Sequence, residues 1–122
     1  MSPRDAEKEA AVLCEDILNL INAKDQEERA AIALEDADDY RGMRDALLEE
    51  GAYDSAAASA VADYAANRVS RWPEALPPLL TCAGALTAAI YQDNPDGAAS
   101  AYLTIIRLLE RIADLEGDGR ES

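Results

Sequence analysis

A stretch without any charged side chain, Leu76–Gln92, constrains the fold more than any other part of the sequence. It reads LPPLLTCAGALTAAIYQ, in a chain of which 30% of the residues are charged. Pro77 and Pro78 stand where a first helical turn tolerates proline, because amide hydrogens there have no intrahelical partner. The apolar residues that follow run around nearly the whole circumference of a helix, which is typical of the middle of a bundle. We therefore predict a buried central helix over about residues 77–92.

Four further helices are predicted, because apolar residues recur at steps of three and four in the rest of the chain. Their expected bounds are about 3–23, 26–50, 55–71 and 95–116. The apolar stripe of the second helix changes phase near Gly42, which predicts a kink or a short break and would make six helices. No alternating run is long enough for a strand. The sequence thus predicts an all-α fold, a single-domain antiparallel bundle of five helices, or six if the second helix breaks, over residues 1–117, with a frayed tail at 118–122.

Several helix ends and one helix face can be assigned from the residue types. The expected caps are Ser2, Asp25, Asp54 or Ser55, and Asn94 at N-termini, and Gly51 at a C-terminus. The expected inner face of the third helix comprises Ala57, Val61, Tyr64, Ala65, Arg68 and Trp72. Arg68 interrupts that face, so it either extends its head to solvent or joins a buried ion pair. Cys14 and Cys82 are expected to be core residues.

The chain is strongly acidic, with 25 acidic and 11 basic residues and a formal net charge of −14. This charge disfavours direct binding to nucleic acid or to an anionic membrane, and it favours a partner protein with a basic surface. Residues 1–50 carry a net charge of −9, residues 51–92 carry −1 and residues 93–122 carry −4. The start, MSPRDAEKEA, does not resemble a signal peptide, so a cytoplasmic location is expected.

The available residue types restrict the chemistry. The chain has no histidine, and its two cysteines are far apart, so the usual ligands of a tetrahedral zinc site are missing. It also has no phosphate-binding glycine loop and no nucleophile elbow. We therefore expect a protein that is not an enzyme, with no catalytic residue, no metal and no cofactor.

One short motif supports a different interpretation. Glu35-Asp36-Ala37-Asp38 places an ExxD step on a predicted helix and is similar to one half of the metal site in the all-α nucleotide pyrophosphohydrolases. The resemblance implies a carboxylate- and Mg²⁺-dependent enzyme. That family also has an ExxE step on the preceding helix, where this chain has Glu7, Glu9, Glu15 and Asp16 at other spacings.

Three hypotheses of function follow. The first is a non-enzymatic inhibitor or nucleic-acid mimic that occupies the basic surface of a partner, such as a nuclease or a defence protein. Its expected partner-binding residues are Glu27, Glu28, Glu35, Asp36, Asp38, Asp39, Glu49 and Glu50. The second is an adaptor, or a self-associating subunit such as a homo-oligomer, that uses exposed Leu103, Leu108 and Leu115 on the last helix. The third is the Mg²⁺-dependent enzyme. A face that only keeps the protein soluble, or adapts it to high salt, would explain the charge without a partner.

Overall fold

The computed structural model describes residues 3–53 and 55–118. Its helices are α1 Pro3–Ile21, α2 Gln26–Glu49, α3 Ala56–Asn67, α4 Leu76–Tyr91 and α5 Pro95–Asp118, with a 3₁₀ helix at Trp72–Ala75. The two described ranges contain no strand, and the five helices pack against one another. The predicted all-α bundle is therefore confirmed. The predicted caps Ser2 and Asp54, and residues 119–122 of the predicted tail, lie outside these ranges.

The central helix of the bundle is α5, and the prediction that residues 77–92 occupy the centre is wrong. Helices α2, α3 and α4 each pack along α5, whereas α1 packs mainly against α4. The buried residues of α5 extend over more than half of its circumference, and they are Ala98, Ala99, Ala101, Tyr102, Leu103, Ile105, Ile106, Leu108, Leu109, Ile112, Ala113 and Glu116. The apolar arc of α5 exceeds half its circumference because three helices surround it within one chain.

The same arrangement corrects the expected exposure of three leucines on α5. Leu103 and Leu108 are buried in the core, and Leu115 is half-buried against it. The three leucines therefore do not form an exposed apolar strip. The wide apolar arc of α5 suggested such a strip, but α2, α3 and α4 of the same chain pack against it.

Helix α4 has one buried face and one exposed face. Leu79, Leu86 and Ile90 are buried, but Leu80 is 55% exposed. Gly84 and Ala88 are also exposed, and no side chain or backbone lies within 4 Å of a β-carbon built on Gly84. The absence of charge on α4 therefore does not mean that the helix is surrounded. Within the residues that the structure describes, no helix combines the length and the apolarity that crossing a membrane requires.

Helix α2 is continuous from Gln26 to Glu49, so the predicted break near Gly42 is wrong. Its N-terminus is capped as expected, since Asp25 Oδ1 accepts a hydrogen bond from the Glu28 amide at 2.8 Å. The Glu28 carboxylate reaches back to the Lys24 amide at 2.7 Å. Gly51 follows the helix with φ +107°, a left-handed conformation that glycine adopts without strain. The apolar stripe changes phase beside Gly42, but this glycine is exposed and the helix continues through it.

Helix α3 is shorter than predicted and rotated about its axis. It ends at Asn67 instead of Arg71, and Trp72 belongs to the following 3₁₀ helix. Its buried residues are Ala62 and Ala66, followed by Val69, whereas Val61 and Tyr64 face solvent. Ser55 is its N-cap, accepting from the Ala58 amide at 3.0 Å. Arg68 is exposed, and its guanidinium donates to the Tyr64 hydroxyl, in agreement with the solvent-facing alternative.

The two cysteines differ in environment, and both are free. Cys82 is buried as predicted, and burial raises the pKa of its thiol to about 11. Cys14 is exposed, so its predicted place in the core is wrong. The buried stripe of α1 consists of Ala6, Leu13, Ile17 and Leu20, and it excludes Cys14, which lies one position beyond Leu13.

Candidate protein-binding surface

The outer side of α2 carries a row of carboxylates, here called the acidic face. Its members are Glu27, Glu35, Asp38, Asp39, Asp45 and Glu49, all of which are exposed. The residues of α2 that are buried lie on the opposite side, against α5. Because the helix is unbroken, the acidic face runs along almost all of its length.

The basic residues of α2 lie beside this face and not within it, although Arg41 pairs with one of its members, Asp38. Arg29, Arg41 and Arg44 are all partly buried, and no exposed residue of α2 is basic. The row is therefore less interrupted than three arginines in the sequence of α2 would indicate.

Arg29 is the clearest case, because its guanidinium closes one end of the bundle. Its Nη1 lies 2.6 Å from Glu116 Oε1 on α5, and its Nε donates to the carbonyl of Leu20 at 2.8 Å. The guanidinium also lies over the ring of Trp72, 4.1 Å from the ring centroid. Both members of the ion pair are largely buried. Arg29 thus connects the end of α1, the 3₁₀ helix and the end of α5, and contributes no charge to the outer surface of α2.

Arg41 lies at the edge between α2 and α5. It pairs with Asp38 on its own helix and with Glu110 on α5, at 3.0 Å for the second contact. Glu110 is shared with Arg107, which also contacts Asp63 on α3 at 3.1 Å. These ion pairs link α2, α5 and α3 at a half-exposed position, where each is worth at most about 1 kcal/mol.

The eight residues predicted to contact a partner fall into three groups. Five of them belong to the acidic face: Glu27, Glu35, Asp38, Asp39 and Glu49. Glu50 follows the helix and is exposed, while Glu28 is half-buried and occupied by the hydrogen bond from the Lys24 amide. Asp36 points into the seam between α1 and α2 instead of outward.

Sequence reasoning missed Asp45, which lies two helical turns beyond Asp38 on the same side. The seven-residue spacing of these two aspartates was a signal that could have found it.

The seam between α1 and α2 holds a second, inward-facing group of carboxylates. The Tyr40 hydroxyl donates to Asp16 Oδ2 at 2.7 Å, and the Tyr40 ring packs against Tyr102, with 6.0 Å between ring centroids. The Tyr102 hydroxyl in turn donates to Glu9 Oε2 at 3.4 Å. Asp36 Oδ2 is shielded from solvent and accepts no hydrogen bond from any residue of the described ranges.

These surroundings favour the protonated form of Asp36. Burial raises the pKa of Asp36 to about 7, with further contributions from the negative charges of Asp16, Asp39 and Glu35. Burial also raises the pKa of Asp16, although the hydrogen bond from Tyr40 opposes that effect. Asp16 on α1 and Asp36 on α2 thus lie close together, and the charged form of at least one of them is disfavoured.

We expect the protein to lose stability as the pH rises from about 4 to about 7. The unfolded chain releases the Asp36 proton near pH 3.8, whereas the native state keeps it up to about pH 7. Between these values the native state binds more protons, so the free energy of unfolding decreases with pH. The loss should be about 1–2 kcal/mol, because partial exposure screens the charge and reduces the effect of the full shift.

The Asp36→Asn variant tests this assignment, since the amide keeps the shape of the side chain and does not ionise. Urea unfolding should show a smaller pH dependence for the variant than for the wild type, and a higher stability at pH 7.5. The control is Asp45→Asn, which removes an exposed carboxylate of the same helix that is not among the charges acting on Asp36, and it should not reduce the pH dependence as Asp36→Asn does. Equal pH dependence in the wild type and in Asp36→Asn would show that Asp36 ionises normally in the native state.

The carboxylates of the four-residue motif that resembles the pyrophosphohydrolases lie in two environments. Glu35 and Asp38 face solvent, and Asp38 is paired with Arg41, whereas Asp36 faces α1. Among the residues described, no three histidine, cysteine or acidic side chains are grouped so that they could hold a metal ion. In comparisons with known proteins, no family model, no curated protein and no solved structure matches this chain.

Proposed function

We propose that this protein acts by binding a partner protein, whose basic surface is occupied by the acidic face of α2. The binding would be non-enzymatic, as that of an anionic inhibitor or a nucleic-acid mimic. The observation that carries the proposal is that six carboxylates are exposed along α2 while its three arginines are partly buried. A location in the cytoplasm is part of the proposal.

The length of the acidic face suits an extended basic groove. From Glu27 to Glu49 the row spans about 33 Å, at 1.5 Å of rise per residue. One turn of double-stranded DNA is about 34 Å long. A groove that accommodates one turn of a phosphate backbone would therefore meet carboxylates along its whole length.

The electrostatic field of the acidic face favours fast association. Residues 1–50, which supply α1 and α2, carry a net charge of −9, and six exposed carboxylates lie on one side of α2. Like charges lined up on one rigid helix add their potentials, which attracts a basic partner and accelerates binding. The repulsion between these charges opposes folding, and the packing of α2 along α5 offsets it.

Partner binding should weaken strongly when the acidic face is neutralised. We expect the Glu35→Gln/Asp39→Asn/Glu49→Gln variant to bind about tenfold or more weakly than the wild type, chiefly through slower association. The partner would be captured from an extract of the native host at low salt, identified and purified. Its affinity would then be measured by calorimetry at several salt concentrations, and should fall as salt screens the charges.

A matched control removes three negative charges from other exposed places. These are Glu7→Gln, Asp93→Asn and Asp114→Asn, so the net charge equals that of the first variant. The control should bind nearly as tightly as the wild type. An equal loss in both variants would mean that only the net charge matters, and affinity independent of salt would exclude the proposed mode of binding.

A further inference from the structure

An open groove lies between α3 and α4, on a part of the surface that the acidic face does not use. Its volume is about 400 Å³, and its floor is formed by α5. Val61 and Ala65 line one wall, Pro78 and Ala85 line the other, and Gly97 and Ala101 lie at the base. None of the residues that line the groove is charged.

The α3 helix presents a ridge without acidic residues beside this groove. Val61 is 63% exposed, and Tyr64, Ala57 and Ala60 are exposed on the same side of the helix. The guanidinium of Arg68 lies over the Tyr64 ring, 5.5 Å from its centroid. Tyrosine and arginine are the residue types most often responsible for affinity at protein interfaces. A ridge of small residues with one such pair matches the shape of a groove lined by small residues.

Charge distinguishes a second copy of this chain from other occupants of the groove. Residues 51–92, which supply α3 and α4, carry a net charge of only −1 in a chain of −14. Two copies of so acidic a protein repel each other least when these nearly neutral parts face one another. A basic partner, in contrast, is attracted to α2.

The two ends of the groove differ in charge. Arg68 and Glu74 line the depression next to Pro78, and their charges sum to zero. Asp93 and Asp96 precede or begin α5 at the end near Gly97, with a net charge of −2. A two-fold axis across the groove would bring the exposed Arg68 of each copy towards Asp93 and Asp96 of the other, so the contact is self-complementary, as an isologous interface requires.

We infer that the protein forms a two-fold symmetric dimer, in which the α3 ridge of each copy lies in the groove between α3 and α4 of the other. The exposed Val61 side chain then becomes buried, and the acidic faces of the two α2 helices stay outside. The dimer leaves both acidic faces free for the partner proposed above and does not depend on that partner.

Sedimentation velocity of the full chain over a wide range of concentrations tests the dimer. The wild type should show a concentration-dependent dimer. The Val61→Glu variant should raise the dissociation constant by about a hundredfold, because a carboxylate would be buried in an apolar contact. Its circular dichroism and unfolding midpoint should stay close to those of the wild type, since Val61 is exposed in the monomer.

Leu34→Glu is the matched control, because Leu34 is 56% exposed on α2 and the substitution adds the same charge. It should dimerise like the wild type. Added salt should strengthen the dimer by screening the repulsion between two acidic chains, which is opposite to its effect on a basic partner. A wild-type chain that stays monomeric at all concentrations and salt levels would overturn the inference, as would a dimer that Val61→Glu leaves intact. A monomer whose groove instead binds another protein would also overturn it.

Discussion

We expect the Leu108→Glu variant to be unfolded. Leu108 is 0% exposed in the middle of α5, so glutamate at this position would place a carboxylate in the core. A buried charge without a partner costs more than about 4 kcal/mol, and a small domain has only about 5–15 kcal/mol of stability in total. Far-UV circular dichroism should show the loss of helix, and thermal unfolding should show no cooperative transition.

The free energy of unfolding cannot be measured for a variant that does not fold. The milder Leu108→Ala variant makes that measurement possible. Its free energy of unfolding should be about 2–5 kcal/mol lower than that of the wild type, because a cavity replaces the buried side chain. Leu34→Glu is again the control, and should change the stability by about 0.5 kcal/mol or less. A folded Leu108→Glu protein with native stability would mean that this side of α5 faces solvent, and that α5 is not the central helix.

The second large effect is expected on removal of the Arg29 guanidinium. Arg29→Met leaves the Glu116 carboxylate without its cation, and Glu116 is only 5% exposed. Breaking a buried ion pair by removing one partner costs about 3–5 kcal/mol. The carbonyl of Leu20 at the end of α1 also loses the hydrogen bond from Arg29. Guanidinium chloride unfolding at pH 7 should show a correspondingly lower free energy of unfolding.

A double-mutant cycle separates the ion pair from the packing around it. The Arg29→Met/Glu116→Leu protein should be more stable than Arg29→Met alone, because no buried charge is left unpaired. Arg41→Met is the control, since its contacts with Asp38 and Glu110 are half-exposed and should contribute about 1 kcal/mol or less. A loss for Arg29→Met no larger than that for Arg41→Met would show that the buried pair does not stabilise the bundle.

The parts of the fold that depend on neighbouring residues along the chain were predictable. Asp25, Ser55 and Asn94 each accept a hydrogen bond from an amide three residues ahead, as helix N-caps do. Their chemistry is local, since the side chain and the amide it satisfies belong to the same turn. Gly51 is predictable for the same reason, because the left-handed residue after a helix is usually glycine.

The faces of short alanine-rich helices were not predictable in the same way. In α3 the expected inner residues Val61 and Tyr64 are exposed, while Ala62 and Ala66 are buried. Apolar residues lie on all sides of this helix, so its pattern does not distinguish the side that packs. Alanine is buried here because it lets α3 approach α5 closely, which is a property of the pair of helices and not of either alone.

The candidate site, too, has features that the sequence predicts and features that it does not. The number of carboxylates in α2 and their net charge were evident from the sequence, but the direction of each side chain was not. Asp36 faces α1 and Arg29 reaches Glu116, 87 residues further along the chain. Long-range ion pairs of this kind leave no periodic signal, so the sequence did not show that Asp36 and Arg29 point away from the acidic face.

The sequence alone determined that this chain is helical, where most helices begin and end, and that its surface is acidic, because these properties follow from residue types and spacings within a few turns. Only the tertiary structure decided which helix is central. Helices α4 and α5 both have wide apolar surfaces, and the choice between them depends on how many neighbours each can contact at once. Helix α5 is longer and carries the larger side chains, so surrounding it removes more apolar surface from water.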